Sequence, residues 1–131
     1  MKKSKIIWVN GCFDVIHRGH VELFKYAQSL GDELLVGIDS DNKVKKDKGK
    51  DRPFNKLEDR VEVLKSIKYI NKIYNFDTTK GLETLIKEIS PDIMVIGSDW
   101  KDKTIIGEKY TKEVIFFDRV GDHSTTKILN L

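Results

Sequence analysis

The sequence has a single cysteine and no long hydrophobic run, and each scarcity excludes a class of protein. The one thiol, Cys12, cannot form an internal disulfide framework, and it fits a reducing compartment. No stretch approaches the ~18 consecutive apolar residues that a membrane-spanning helix requires. The basic residues 1–5 are not followed by the apolar core and small-residue cleavage site of a signal peptide. We therefore expect a cytoplasmic protein without a membrane partner.

A large excess of one sign of charge is also missing. The 24 lysine and arginine side chains nearly balance the 21 aspartate and glutamate side chains, which leaves a net charge of +3. This small excess argues against a nucleic-acid partner, although a local basic patch can still bind an anionic ligand. A chain of 131 residues is long enough for one domain with a substantial core and too short for two. A single domain over residues 1–131 is therefore expected.

Apolar runs of strand length alternate along the chain with segments of helical period. The predicted strands are 5–9, 34–38, 72–76, 93–97 and 114–117. The predicted helices are 20–30, 56–68, 81–89 and 124–131, with Gly31 and Asn55 as caps and polar loops over 40–53 and 98–112. This alternation predicts an α/β fold with a Rossmann-like, doubly wound, five-stranded parallel sheet. Ligands of such sheets bind beyond the carboxyl ends of the strands, where the following loops should converge.

The most informative stretch is 10–20, Asn-Gly-Cys-Phe-Asp-Val-Ile-His-Arg-Gly-His. It connects the first strand to the first helix, so His17 and His20 lie at a strand-to-helix turn. The unpaired N–H groups and partial positive charge of a helix N-terminus form an anion site. Two imidazoles can add hydrogen bonds to phosphate oxygens, and Gly11 and Gly19 let the backbone approach a ligand closely.

Three other interpretations of this turn remain weaker. One histidine could simply cap the helix while the other lies on the surface. The two histidines could both reach a zinc ion, but Cys12 is the only thiol and no evident third ligand shares the turn. A dinucleotide site would require the fingerprint G-x-G-x-x-G after the first strand, and the sequence lacks it there.

Two further polar segments follow predicted strands at the same edge. The loop 40–53 contains five lysines, Lys43, Lys45, Lys46, Lys48 and Lys50. Such a charge run is usually a solvated surface, but its place after a strand favours an anionic ligand. Near the C-terminus, Ser124-Thr125-Thr126 precedes the last predicted helix, where hydroxyl groups would add to another anion site. Plain helix capping would explain one hydroxyl but not three in a row.

Two motifs resemble those of a known superfamily. His17-Arg18-Gly19-His20 resembles the HxGH signature of the nucleotidyltransferases, and Gly11-Cys12-Phe13-Asp14 resembles the G-x-F-D lead-in of their cytidylyltransferase-like branch. HxGH alone is a weak signal, whereas HxGH after a strand and a GxFD turn is specific. The resemblance covers residues 6–129 and implies the nucleotidylyl transferase (HUP-type) fold.

The same resemblance implies an enzyme that transfers a nucleotidyl group (NMP) from ATP or CTP to a phosphorylated sugar or polyol, releasing pyrophosphate. It implies no metal-binding side chain with certainty, because Mg²⁺ is expected to bridge the phosphates of the nucleotide. It also implies a homodimer.

The family's site residues map onto this sequence position by position. The implied catalytic residues are His17, His20, Lys45 and Lys48. The implied nucleotide-binding residues are Gly11, Cys12, Phe13, Asp14, Gly19, Gly97, Asp99, Arg119, Ser124, Thr125 and Thr126. The implied acceptor-binding residues are Asp39, Arg60 and Trp100. For Arg60, an exposed helix position is the alternative, and for Asp99 it is an ordinary turn aspartate.

The resemblance is divided between two branches. Residues 48–49, 52–55, 59–60, 76–92 and 106–108 are similar to the heptose 1-phosphate adenylyltransferases. That branch usually has a lysine where Ile96 stands, and Trp100 and Arg119 are more similar to the glycerol-3-phosphate cytidylyltransferases. We favour the D-glycero-beta-D-manno-heptose 1-phosphate adenylyltransferase type. The alternatives are a CTP-dependent polyol-phosphate enzyme, then an archaeal-type FAD synthetase, and, in a different class, a nucleotide-binding module without turnover.

Overall fold

Five parallel strands form one sheet in the computed structural model, which describes residues 4–118. They are β1 (Ile6–Gly11), β2 (Glu33–Asp39), β3 (Lys72–Phe76), β4 (Ile93–Gly97) and β5 (Glu113–Phe117). Their order is β3-β2-β1-β4-β5, and every neighbouring pair is parallel. The predicted α/β sheet is confirmed, and the strand ends differ from the predicted ones by at most two residues.

Helices cover both faces of this sheet. They are α1 (Arg18–Ser29), α2 (Asp41–Lys48), α3 (Leu57–Lys65) and α4 (Thr79–Ile89), with short 3-10 helices at Ser98–Trp100 and Glu108–Tyr110. Phe24 of α1 and Leu64 of α3 share one buried core with Val9, whereas Ile86 of α4 belongs to a second core with Trp8. Successive residues of β1 thus point to opposite faces, and the doubly wound arrangement is confirmed. None of the helices within residues 4–118 is long and apolar enough to cross a membrane.

Helix α2 shows that the predicted polar loop over residues 40–53 was wrong. Ser40 caps the helix, because its Oγ accepts a hydrogen bond from the Lys43 N–H (3.1 Å). Lysines in the last turn interact favourably with the negative end of the helix dipole. Val44 is fully buried and is the only buried residue of the eight. A single apolar residue produces no helical periodicity, which is why the sequence pattern did not indicate this helix.

Two predicted helix caps have different roles. Leu30 ends α1 in the right-handed conformation, and Gly31 does not have a positive φ, so it is not a left-handed cap. A Cβ atom at Gly31 would lie 2.8 Å from the Lys5 carbonyl oxygen, so glycine there permits a close approach of two backbone segments. Helix α3 begins after Lys56, so the predicted N-cap Asn55 is not its cap. The Leu57 N–H at the start of the helix donates instead to Asp41 Oδ1 (2.9 Å).

Candidate active site

Two histidines cap α1 just beyond the carboxyl end of β1. The Gly19 N–H donates to His17 Nδ1 (3.1 Å), and the His17 N–H donates to His20 Nδ1 (3.2 Å). This is a reciprocal capping box in which imidazoles occupy the places usually taken by Ser or Thr and Glu or Gln. The two ring centroids are 3.9 Å apart. The helix N-terminus predicted as an anion site is therefore built around both rings.

The capping bonds determine which nitrogen of each ring has the proton. An imidazole nitrogen that accepts a hydrogen bond is unprotonated, so the proton of each neutral ring lies on Nε2. Nε2 is across the ring from the capping contact. Burial, together with the nearby charges of His17 and Lys48, lowers the pKa of His20 from 6.5 to about 4. At neutral pH, His20 is therefore an uncharged hydrogen-bond donor.

Phe13 supports the histidines from inside the protein. Its ring packs edge-on against His20 (centroids 5.6 Å apart) and against Phe24 (5.2 Å), and it is buried. The residue has φ of +49°, a left-handed conformation that few non-glycine residues adopt. A Cβ at Gly11 would lie 3.0 Å from the tip of the Phe13 ring, so Gly11 makes room for that ring. The predicted nucleotide contact of the Phe13 side chain stays a prediction, and its burial weighs against it.

Asp14 binds the loop that precedes α3. Its buried carboxylate accepts hydrogen bonds from the backbone N–H groups of Phe54 (2.6 Å) and Asn55 (2.7 Å). Arg52 Nε lies 3.3 Å from the same carboxylate, and the Asn55 side chain donates to the Asp14 carbonyl (2.8 Å). Because protein donors surround the carboxylate, its predicted role in nucleotide binding would be indirect.

Arg60 is not on an exposed helix surface. Its side chain is fully buried and donates to the Cys12 carbonyl (3.0 Å) and the Asp39 carbonyl (2.7 Å). It also donates to the Asn55 carbonyl (3.0 Å) and pairs with the Asp41 carboxylate (2.7 Å). The exposed alternative is thus wrong, and direct contact with an acceptor substrate stays a prediction that this burial weighs against.

Lys48, the last residue of α2, is the predicted lysine best connected to the site. Among the described residues it is the lysine whose charge acts on Cys12, His20 and Asp39 together. Burial raises the pKa of the Cys12 thiol, which therefore stays protonated, in line with a residue that is not a nucleophile. Burial also raises the pKa of the Asp39 carboxyl, against the opposing effect of Lys43. Lys45 is exposed in the same helical turn.

The other flank of the site follows β4, the neighbour of β1 on the side away from β2. Gly97 ends this strand, and a Cβ atom there would meet nothing within 4 Å, so the space above it is open. Asp99 and Trp100 are exposed in the 3-10 helix that follows, and the Trp100 side chain lies 5.3 Å below the Lys103 ammonium group. These residues lie at the same edge of the sheet as the two histidines. The remaining predicted nucleotide-binding residues lie outside the described residues: Arg119, Ser124, Thr125 and Thr126.

Comparison with known proteins decides the family. Residues 8–128 match the family model described as Cytidylyltransferase-like.

The chain belongs to the cytidylyltransferase-like family.

Bacterial relatives of this cytidylyltransferase-like chain are much longer than it is. Its alignment with the Bifunctional protein HldE of Helicobacter hepaticus is 41% identical over 129 residues and covers 98% of this chain and 27% of that protein. Its alignment with the Bifunctional protein HldE of Campylobacter concisus is 42% identical over 127 residues and covers 97% of this chain and 27% of that protein. The chain therefore spans about a quarter of the length of these relatives.

Solved structures share the fold at low sequence identity. The lipopolysaccharide core biosynthesis protein from Thermoplasma volcanium superimposes with a TM-score of 0.77 at 20% identity, over 91% of this chain and all of that one. A pantoate-beta-alanine ligase from Francisella tularensis superimposes with a TM-score of 0.67 at 16% identity, over 100% of this chain and 67% of that one. The nucleotidyltransferase-type fold is confirmed, and so is the predicted class of enzyme at the level of the family.

The cytidylyltransferase-like site combines hydrogen-bond donors at the N-terminus of α1 with Lys48 from the C-terminus of α2, a set suited to holding a polyphosphate. Within residues 4–118, no group of three or more His, Cys, Asp or Glu side chains could hold a metal ion. Sequence patterns missed Asp41, which links α2 to α3, because its partners are far away in the sequence.

Proposed function

We propose that this chain transfers an adenylyl group from ATP to a phosphorylated sugar of the heptose 1-phosphate type and releases pyrophosphate. The observation that supports this most directly is the pair of imidazoles at the N-terminus of α1, each with its proton on Nε2. The HldE relatives, which align over nearly all of this chain, support the sugar-phosphate branch. The cytoplasmic location, the homodimer and the Mg²⁺ that accompanies the nucleotide stay predictions.

The proposed reaction is a direct in-line displacement. An oxygen of the acceptor phosphate forms a bond to the α-phosphorus of ATP while the bond from that phosphorus to the bridging oxygen of pyrophosphate breaks. The acceptor phosphate is already an anion, so the step requires no strong general base. The lowered pKa of His20 agrees with this, because it keeps the ring neutral as a donor to the charge that develops on the phosphates. Lys48 would neutralise charge on the leaving pyrophosphate.

A CTP-dependent glycerol-3-phosphate cytidylyltransferase is the second candidate. Trp100 favours it, because a tryptophan after Gly97-Ser98-Asp99 is the pattern of that branch and the side chain is exposed beside β4. The resemblance supplies this preference, so the base and the acceptor are decided by experiment.

Pyrophosphate release, measured with each of the four NTPs against a panel of phosphorylated acceptors, tests both candidates. We expect release with ATP and a heptose 1-phosphate, and no release without the acceptor. Dependence on CTP and glycerol 3-phosphate would replace the first candidate by the second. No release with any pair would favour a nucleotide-binding module without turnover.

A further inference from the structure

Arg60 connects four segments that surround the candidate site. Its guanidinium donates to three carbonyls: that of Cys12, at the start of the turn between β1 and α1 (the β1 turn), that of Asp39, at the end of β2, and that of Asn55, in the loop before α3. Its fourth bond, to Asp41, reaches the first residue of α2. These bonds tie the β1 turn, the end of β2, helix α2 and the loop 52–55 to a single side chain.

Such a buried guanidinium is costly to retain for stability alone. Taking a charged group out of water is unfavourable, and apolar side chains of similar volume often serve a protein core as well or better. Here the cost is offset by one carboxylate and three carbonyls, a set that the flat, five-donor fork of arginine satisfies and the three-donor ammonium group of lysine cannot. The arrangement therefore specifies geometry at this edge of the sheet.

Helix α2 is joined to Arg60 through its first residue. This helix has one buried apolar side chain, Val44, and begins at Asp41, whose carboxylate binds both Arg60 and the Leu57 N–H. Lys48 is at the opposite end of the same eight residues, near His20 and Asp39. Because α2 has so little hydrophobic contact, it needs the bond between Asp41 and Arg60 to hold the whole helix, and with it Lys48, in place.

We infer that Arg60 is a positioning residue, which holds α2 so that Lys48, at the end of that helix, stays at the candidate site. This inference rests on the proposed function for its kinetic consequence and on the hydrogen-bond network for its structural one. The full burial of the Arg60 side chain favours this positioning role over direct contact with a substrate.

The kinetic test compares Arg60→Met with a matched control, Leu64→Ala, one turn further along α3 and also fully buried. A misplaced lysine should lower kcat/KM by roughly 10²-fold in Arg60→Met. Leu64→Ala, which loses stability through a cavity, should keep wild-type kcat/KM at temperatures where it is folded. When Lys48 is already replaced by alanine, Arg60→Met should lower kcat/KM much less than it does in the wild-type protein. Equal losses in the two α3 variants, or full additivity with Lys48→Ala, would overturn the inference.

Two further variants separate position from charge and from folding. Arg60→Lys keeps the charge but not the fork, so it should remain well below wild type, and complete rescue by lysine would show that charge alone suffices. Asp41→Ala removes the bonds to Arg60 and to the Leu57 N–H at a side chain that is 36% exposed, so it should fold and still raise KM for the nucleotide. An unchanged KM in Asp41→Ala would count against the role assigned to α2.

Amide hydrogen exchange tests the structural part independently of any activity. The Val44 and Gly49 amides, which bond to Ser40 and Lys45 carbonyls, should exchange faster in Arg60→Met than in Leu64→Ala. Unchanged exchange there would overturn the inference even if turnover falls. Absence of pyrophosphate release from the wild-type protein would instead refute the proposed function, while the exchange data would still decide the role of Arg60.

Discussion

His17 has two roles that its alanine variant removes together. It caps α1 through Nδ1, and the proposed function uses its Nε2–H as a donor to the nucleotide. His17→Ala should lower turnover by roughly 10²–10³, as expected for one lost donor to developing charge, and should cost about 1 kcal/mol of stability through the lost cap. His17→Asn can still cap the helix through its side-chain oxygen, so it should recover the melting temperature without recovering turnover. Wild-type turnover in His17→Asn would show that the ring is not part of the site.

His20 should make folding stability depend on pH. Its pKa is lowered from 6.5 to about 4 in the folded protein, mainly by burial, so the unfolded chain binds more protons between these values. Its contribution is therefore fully present above pH 6.5 and is lost as the pH falls towards about 4. Unfolding free energies from denaturant titrations at several pH values should fall more steeply for the wild type than for His20→Gln in this window. Parallel curves would contradict the lowered pKa.

The residue types of the site were predictable, whereas most of their partners were not. The histidine pair is recognisable because both rings and the intervening glycine lie within four consecutive positions. Arg60 instead binds the Cys12 carbonyl 48 positions away, and Asp14 binds the Phe54 N–H 40 positions away; a single sequence contains no periodicity that reports such contacts. The folded structure was therefore needed to decide whether these two side chains face a ligand or the rest of the protein.

The loop 52–55 should depend on Asp14 more than on any apolar contact. Asp14→Ala leaves the Phe54 and Asn55 N–H groups without their charged acceptor, which should cost about 3 kcal/mol. Asp32→Ala is the matched control, since Asp32 is exposed and accepts one backbone bond, from Lys5 (2.7 Å). Thermal unfolding should show a clearly larger loss for Asp14→Ala, with faster amide exchange at Phe54 and Asn55. Equal losses in the two variants would contradict this account.

Secondary structure was predictable where apolar side chains determine it. β4, Ile-Met-Val-Ile-Gly, is apolar throughout and buried over its first three residues, so its bounds follow from composition. Helix α2 differs, because Ser40, Asp41 and three lysines stabilise its ends by capping and charge while only Val44 is buried. End effects of this kind depend on the helix already existing, so they do not by themselves reveal one in a lysine-rich stretch.

The parallel sheet gives the molecule two unlike edges. All five strands run in one direction, so the β1 turn, α2 and the 3-10 helix after β4 lie together at the carboxyl edge. A cavity of about 490 Å³ lies instead at the amino edge, lined by residues that include Lys5, Asp92 and Lys112. Its volume does not by itself identify the ligand site. Strand direction and the donors on α1 favour a ligand at the carboxyl edge, the edge at which α/β sheets bind ligands.

Two lysines at opposite edges distinguish these alternatives. Lys48 ends α2 near His20, whereas Lys112 lies 3.0 Å from the Asp92 carboxylate beside the cavity. Because a triphosphate is attracted by positive charge at its own site, Lys48→Ala should raise the apparent KM for the nucleotide about tenfold or more, in line with a lost charged hydrogen bond. Lys112→Ala removes the same charge from the chain and should leave that KM unchanged, so net charge is controlled. A raised KM in Lys112→Ala alone would move the nucleotide to the amino edge, and the histidine pair would then lose its assigned function.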